Sequence, residues 1–352
     1  MMDSSFPWRA FLLTLLIGIA AALVCLLLHT PLPWMIGPLF ATAAARMRGI
    51  RLHAPVRVRE AGQWVIGTAL GLYFTPVVLT TLASFIEWTV AAVLFAMLLG
   101  MACAWMLRQL TDIDWTTAFF AMAVGGASEM ATQGERYGAR TDRVAAAHSL
   151  RIMLVVVILP FGLKFMDVHG LDPYQQATRM VDIAGLVQLI LLTSLCALTL
   201  RRLQIPNAWV IGPLLVTIAL TACEIHWSAL PQWMINGGQL LIGVSLGTRF
   251  TPEFLHTAPR YLWGVAVSAL AAVALATGFG VLLAYASGMH AATAILATSP
   301  GGIAEMSLTA KTLQLGVPIV TAFHVIRMVA LVLLIGPLFR LLRRLHGSRE
   351  TD

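Results

Sequence analysis

Long apolar stretches separated by short polar loops run the length of the chain. Six fall in the first half, at about 9–28, 31–46, 60–82, 84–107, 115–130 and 143–166. Six more follow at about 180–200, 206–223, 234–252, 260–286, 291–306 and 316–341. A helix needs about 20 apolar residues to cross the hydrocarbon core of a bilayer, and most of these stretches approach that length. The fifth stretch of each set falls short and contains a glycine pair, Gly125-Gly126 and Gly301-Gly302. Neighbouring glycines weaken a helix and allow a sharp reversal. The pattern predicts an all-α polytopic membrane protein with a re-entrant hairpin or a broken helix at each glycine pair.

Composition excludes the alternatives. Of 352 residues 59% are hydrophobic and 11% charged, and the mean hydropathy is +0.84. A soluble domain carries about 25% charge and could not hide so much apolar side chain. Disorder, collagen-like repeats and a secreted disulfide scaffold are excluded on the same grounds. Cys25, Cys103, Cys196 and Cys223 lie in or at the end of apolar stretches without a C-x-x-C, and read as small buried hydrophobes. The apolar run from Phe11 to Leu28 is too long for a signal peptide and lacks a small-residue cleavage site, so it reads as the first span.

The chain repeats itself. Trp34-Met-Ile-Gly-Pro38 recurs as Trp209-Val-Ile-Gly-Pro213. GQWVIGTALGLYFTP at 62–76 recurs as GQLLIGVSLGTRFTP at 238–252. GGASEM at 125–130 recurs as GGIAEM at 301–306, and His148 and Arg151 recur as His324 and Arg327. The offset is 175 for the first pair and 176 for the rest. Collinear matches at one period identify a tandem duplication, giving two membrane repeats, 1–175 and 176–352.

The net charge of +7 sits in short loops and reads as topogenic rather than as a nucleic-acid surface. The loop after the second stretch contains Arg46, Arg48, Arg51, Arg57 and Arg59, whereas its counterpart at 224–233 has no Lys or Arg. One loop earlier the bias reverses: His29 to Pro33 has no basic residue but His29, and the counterpart carries Arg201 and Arg202. Equivalent loops of opposite charge belong on opposite sides. Inverted repeats follow, each crossing an odd number of times, with the glycine-broken fifth stretch as the one that does not cross. The expected topology has about ten spanning helices, two re-entrant hairpins and both termini cytoplasmic. The alternative, twelve spans in parallel repeats, would place Arg201 and Arg202 outside.

Inverted repeats with discontinuous helices are the architecture of many secondary transporters, with the site near the bilayer midplane. Glu129 and Glu305 follow the glycine pairs, and a carboxylate in a membrane is costly unless it has a partner, a cavity or a proton. His148 and Arg151, like His324 and Arg327, are spaced to share one helix face. The arginines could neutralise the glutamates, receive an anionic solute through a planar fork of donors, or merely brace the hairpins. Gln63 and Gln239 stand ahead of Gly67-x-x-x-Gly71 and Gly243-x-x-x-Gly247, spacings that let helices approach closely. The Ile-Gly-Pro steps at 36–38 and 211–213 should kink or unwind the second stretch. The substrate- or ion-binding set is therefore Gly125, Gly126, Glu129, His148, Arg151, Gly301, Gly302, Glu305, His324, Arg327, Gln63 and Gln239. No metal or cofactor is expected: the histidines do not cluster at ligand spacing, and there is no Walker A, Rossmann or H-E-x-x-H motif.

The paired W-x-I-G-P, G-Q-x-x-I-G-x-x-L-G-x-x-F-T-P and G-G-x-x-E-M motifs resemble the duplicated AbrB membrane-protein family of Gram-negative bacteria, over nearly the whole chain. The resemblance implies a multi-pass protein of the bacterial inner membrane. It also carries the family's labels, "putative regulator of gene expression" and "putative ammonia monooxygenase". Nothing in the chain could form the small β domain of the soluble DNA-binding protein that shares the name, so direct contact with nucleic acid is not expected. An oxygenase would need metal ligands that the residues do not supply, so no enzyme activity is expected. The expected partners are the lipid bilayer and a small solute or ion. Oligomeric state stays open, with a homodimer the commonest symmetric arrangement. The two functional readings are a secondary transporter and a membrane-embedded regulator or sensor.

Overall fold

A computed structural model describes residues 7–166, 170, 176, 180–251 and 259–347. The repeat boundary near residue 175, Pro252, and the tail beyond Gly347 with Arg349 lie outside the described residues. Among the described residues there are fifteen helices and no strand. The first half contains α1 (Trp8–Leu27), α2 (Pro33–Met47), α3 (Val56–Gly71), α4 (Pro76–Ala83), α5 (Ile86–Leu110), α6 (Trp115–Met122), α7 (Ala127–Arg136) and α8 (Thr141–Phe165). The second contains α9 (Ile183–Arg202), α10 (Ala208–Ala222), α11 (Gln232–Gly247), α12 (Pro259–Ser287), α13 (Ala291–Thr298), α14 (Ile303–Thr312) and α15 (Val317–Gly347).

Among the described residues six helices, α1, α5, α8, α9, α12 and α15, are long and apolar enough to cross a membrane. Helices α1 and α9 turn rows of large apolar side chains outward, such as Leu12, Leu16, Leu23 and Leu27, and Ile183, Val187, Leu191 and Leu195. That arrangement suits a lipid solvent, which does not drive apolar faces inward. Aspartates cap two helix starts: Asp114 accepts from the Thr117 amide at 2.8 Å and Asp182 from the Gly185 amide at 2.6 Å.

Three local features depart from the sequence reading. The third stretch is not one helix, because α3 and α4 meet at 90°. Pro76 has no amide proton and takes the first position of α4, where none is needed. The Ile-Gly-Pro steps do not unwind the second stretch, and α2 and α10 run through Pro38 and Pro213. Each proline sits early in its helix, so the carbonyl it leaves unpaired lies in the first turn. Of the four free cysteines only Cys103 is buried, and Cys223 is exposed.

The described chain forms two compact units. One comprises residues 1–83, 156–259 and 304–318, and the other 84–155, 260–303 and 319–352. Each draws elements from both halves of the sequence. In the first unit α1 packs on α2 as α9 packs on α10, α3 packs on α10 as α11 packs on α2, and α3 meets α11. Glycines make these approaches. A Cβ on Gly67 would lie 2.5 Å from the Val210 carbonyl oxygen, and one on Gly243 would lie 2.5 Å from that of Met35. Gly71 faces Leu214 and Thr217, and Gly247 faces Leu39 and Thr42. Gly62 meets Gly238, its own counterpart, at the α3–α11 crossing, where a Cβ would come within 2.6 Å of the carbonyl oxygen. Every one of these contacts has its equivalent at an offset of 175 or 176.

Backbone conformation repeats as well. Residues with positive φ include His29 and Gln204, Leu32 and Asn207, Gly49 and Glu224, and Gly138 and Gln314. These pairs again stand 175 or 176 apart, although five different residue types occupy them besides glycine. The left-handed region is uncommon for such residues, so tertiary packing holds these turns.

In the second unit α5 packs on α6, and Gly100 lies against Ala123. Correspondingly, Thr298 on α13 donates to the Ala276 carbonyl of α12 at 3.1 Å. Phe95 and Phe279 stack at 3.9 Å and join α5 to α12. Phe119, Phe120, Tyr137 and Phe339 form an aromatic cluster, beside which Gln133 donates to the Val332 carbonyl at 2.9 Å.

Candidate functional site

Both glycine pairs lie where a helix is broken. Helix α6 ends at Met122 and α7 starts at Ala127, and α13 ends at Thr298 and α14 starts at Ile303. With 1.5 Å of rise per residue, legs of 8 and 10 residues are about 12 and 15 Å long. Each break frees carbonyl oxygens that the helix no longer pairs, and a membrane interior has no water to satisfy them.

Arginine supplies the missing donors. Arg151 on α8 donates from one terminal nitrogen to the carbonyls of Met122 at 3.2 Å and Ala123 at 2.9 Å. Its other terminal nitrogen bonds His148 Nδ1 at 3.0 Å and makes a longer 3.5 Å contact with the Gly125 carbonyl. Arg327 on α15 does the same at the second break, donating to the Ser299 carbonyl and, at 2.9 Å, to that of Gly301. Arg151 is 3% exposed and Arg327 5%, so these are charge-assisted bonds in a dry interior, among the stronger ones available.

The histidines differ between the copies. A guanidinium can only donate, so His148 Nδ1 must accept from Arg151. The ring proton is then on Nε2, which donates to the Phe120 carbonyl at 3.0 Å. His324 instead bonds the Val320 carbonyl of its own helix through Nδ1 at 2.9 Å. Its Nε2 is buried and has no partner, and the Nε atoms of Arg151 and Arg327 are in the same condition. The guanidiniums are also near enough for Arg327 to feel the positive charge of Arg151. The second unit thus gathers two like charges and three unsatisfied buried nitrogens around paired backbone breaks.

The predicted set divides between the units. Gly125, Gly126, Glu129, His148, Arg151, Gly301, Gly302, His324 and Arg327 belong to the second, and Gln63, Gln239 and Glu305 to the first. Among the described residues neither Arg151 nor Arg327 pairs with a carboxylate; their terminal nitrogens go to the carbonyls of the breaks and, for Arg151, also to His148. Glu129 is half-buried. Glu305 is 4% exposed, and the cation that senses it is Arg249. Gln239 is buried and Gln63 half-buried on the crossing helices α11 and α3.

Comparison with known proteins identifies the family. The family model described as "Transition state regulatory protein AbrB" matches residues 34–343. The chain belongs to the AbrB family. The "Putative regulator AbrB" of Escherichia coli (strain K12) is 27% identical over 318 residues, covering 89% of this chain and 90% of that protein. The "Uncharacterized protein YhjN" of Bacillus subtilis (strain 168) is 26% identical over 334 residues, covering 90% of this chain and 85% of that protein. The matched span of this AbrB-family chain includes both broken helices and both His-x-x-Arg pairs.

One group of residues in this AbrB-family chain was not singled out from sequence. Arg46, Arg59 and Arg249 come together around a cavity in the first unit. The sequence signal was a departure between the copies, since GLYFTP at 71–76 becomes GTRFTP at 247–252 and Arg249 replaces Tyr73.

Proposed function

We propose that this AbrB-family protein is a secondary transporter that moves a small polar or anionic solute by alternating access, and not an enzyme. The observation that carries the reading is the pair of broken helices, each braced by a buried arginine, with Nε of both arginines and Nε2 of His324 left without partners. A buried donor or acceptor without a partner costs about 1–3 kcal/mol. A polar solute entering between the breaks would satisfy these atoms and reduce the repulsion between Arg151 and Arg327. Glu129 and Glu305 are assigned to proton or cation coupling on account of their place in the first turns of α7 and α14.

The inverted topology belongs to the same proposal, and contacts in the first unit support it. Met35 and then Thr42 meet Gly243 and then Gly247, so α2 and α11 run alongside each other in the same direction. A Cβ on Gly62 would meet Gly238 and Ile242 of α11, and one on Gly238 would meet Gly62 and Val65 of α3, so the contacts advance along one helix as they retreat along the other. Helix α3 therefore runs against α11, its own counterpart. Opposed counterparts are what inverted repeats require, with both termini cytoplasmic in an inner membrane on the charge argument.

The test is metabolite uptake and export in cells with and without the protein, together with Glu129→Gln and Glu305→Gln. Flux that depends on the protein, with its pH dependence lost in the variants, is expected. No protein-dependent solute would overturn the transport reading, and unchanged flux in both variants would remove the carboxylates from it. The name of the E. coli relative favours a second reading, a membrane-embedded regulator of gene expression. Deleting residues 343–352 should then alter expression phenotypes without altering flux.

A further inference from the structure

Orienting a membrane protein requires positive charge in its cytoplasmic loops, but it does not require the charges to converge. Here three of them do. Arg46 near the end of α2, Arg59 in the first turn of α3 and Arg249 just beyond α11 line one cavity of 270 Å³ in the first unit, together with His53, Ser245 and Thr248. The Nε atoms of Arg46 and Arg59 are buried there without a hydrogen-bond partner. Neither side chain joins an ion pair among the described residues. Arg249 feels the repulsion of Arg59 and the attraction of Glu305. Among the described residues the cavity lining carries three guanidiniums and no carboxylate.

We propose that this cavity is a binding site for a phosphate-type oxyanion. Guanidinium forks match the oxygen geometry of such a group, and charge-assisted bonds to it would engage the unpartnered Nε atoms. The volume is many times the roughly 10–15 Å³ that one water requires, enough for the anion and part of an attached group. The equivalent positions in the other repeat hold Thr221, Ile235 and Tyr73. The site thus breaks the two-fold pattern of the chain, and the same residues are not gathered in the other copy. It does not depend on the transport reading, because it stands on a cavity in the first unit alone. The oxyanion can be that of a soluble phosphate compound or of an anionic lipid headgroup.

The full chain, purified in detergent, is titrated with pyrophosphate by calorimetry and thermal shift. In parallel it is reconstituted in nanodiscs of phosphatidylcholine with and without phosphatidylglycerol, and bound lipid is read by native mass spectrometry. Arg46→Gln/Arg59→Gln is compared with Arg48→Gln/Arg51→Gln, which removes the same charge from two exposed residues that do not line the cavity. Binding of pyrophosphate or retention of phosphatidylglycerol in the wild type and the Arg48/Arg51 variant, weakened at least tenfold in the Arg46/Arg59 variant, is expected. Pyrophosphate binding without lipid retention identifies a soluble ligand, and lipid displaced by pyrophosphate identifies a headgroup. Arg46→Lys/Arg59→Lys keeps the charge but loses the forks, and should fold normally and bind more weakly. Binding of neither probe by the wild type, an equal loss in the Arg48/Arg51 variant, or unchanged binding in the lysine variant would overturn the proposal.

Discussion

Arg327→Met isolates the role of arginine at a backbone break. Methionine has similar length and no donor, so the Ser299 and Gly301 carbonyls lose their partners with little change in packing volume. A hydrogen bond from a charged donor is worth about 1.5–3 kcal/mol, and two together about 3–6 kcal/mol. Removing a buried cation also relieves its desolvation penalty, which reduces the expected net loss to about 2–4 kcal/mol. SDS titration in mixed micelles, followed by tryptophan fluorescence, measures the difference. Arg327→Lys keeps the charge but offers a single point donor in place of a fork, so its loss should be intermediate. A methionine variant that unfolds within about 1 kcal/mol of the native protein would refute the reasoning, because the break carbonyls would then have found other partners.

Gly67→Ala and Gly243→Ala should each destabilise by about 1–3 kcal/mol in the same titration, because each added Cβ meets a backbone carbonyl at 2.5 Å. Their equivalent surroundings predict losses that agree within about 0.5 kcal/mol; a large effect at one position and none at the other would contradict the matched packing. Asp182→Ala removes the side chain that caps α9 and should lower stability by about 1 kcal/mol, with Asp182→Asn retaining most of it. Equal stability of the alanine variant would show that the free amides of the first turn are satisfied in another way.

The apolar stretches, the breaks at Gly125-Gly126 and Gly301-Gly302, and the family were legible in the chain because each is a local or repeated signal. The bend between α3 and α4 was legible only in hindsight: Pro76 marks it, but Leu72–Phe74 are apolar enough to read as continuing helix. The use made of Arg151 and Arg327 was not legible. Sequence spacing put each arginine beside its histidine, but could not choose between a glutamate, a solute and the carbonyls of a segment 26 to 29 residues earlier. The same limit hid the convergence of Arg249 on Arg46 and Arg59, which stand 190 or more residues earlier in the chain.

By itself the sequence determined the solvent this protein lives in and where its helices must break, since hydropathy and glycine content act over one or two helical turns. Tertiary structure alone decided which counterpart helices cross at Gly62 and Gly238, which carbonyls the buried arginines satisfy, and which loop charges enclose a cavity. Those outcomes depend on approaches of a few ångströms between segments that lie tens to about two hundred residues apart, and no local pattern encodes them.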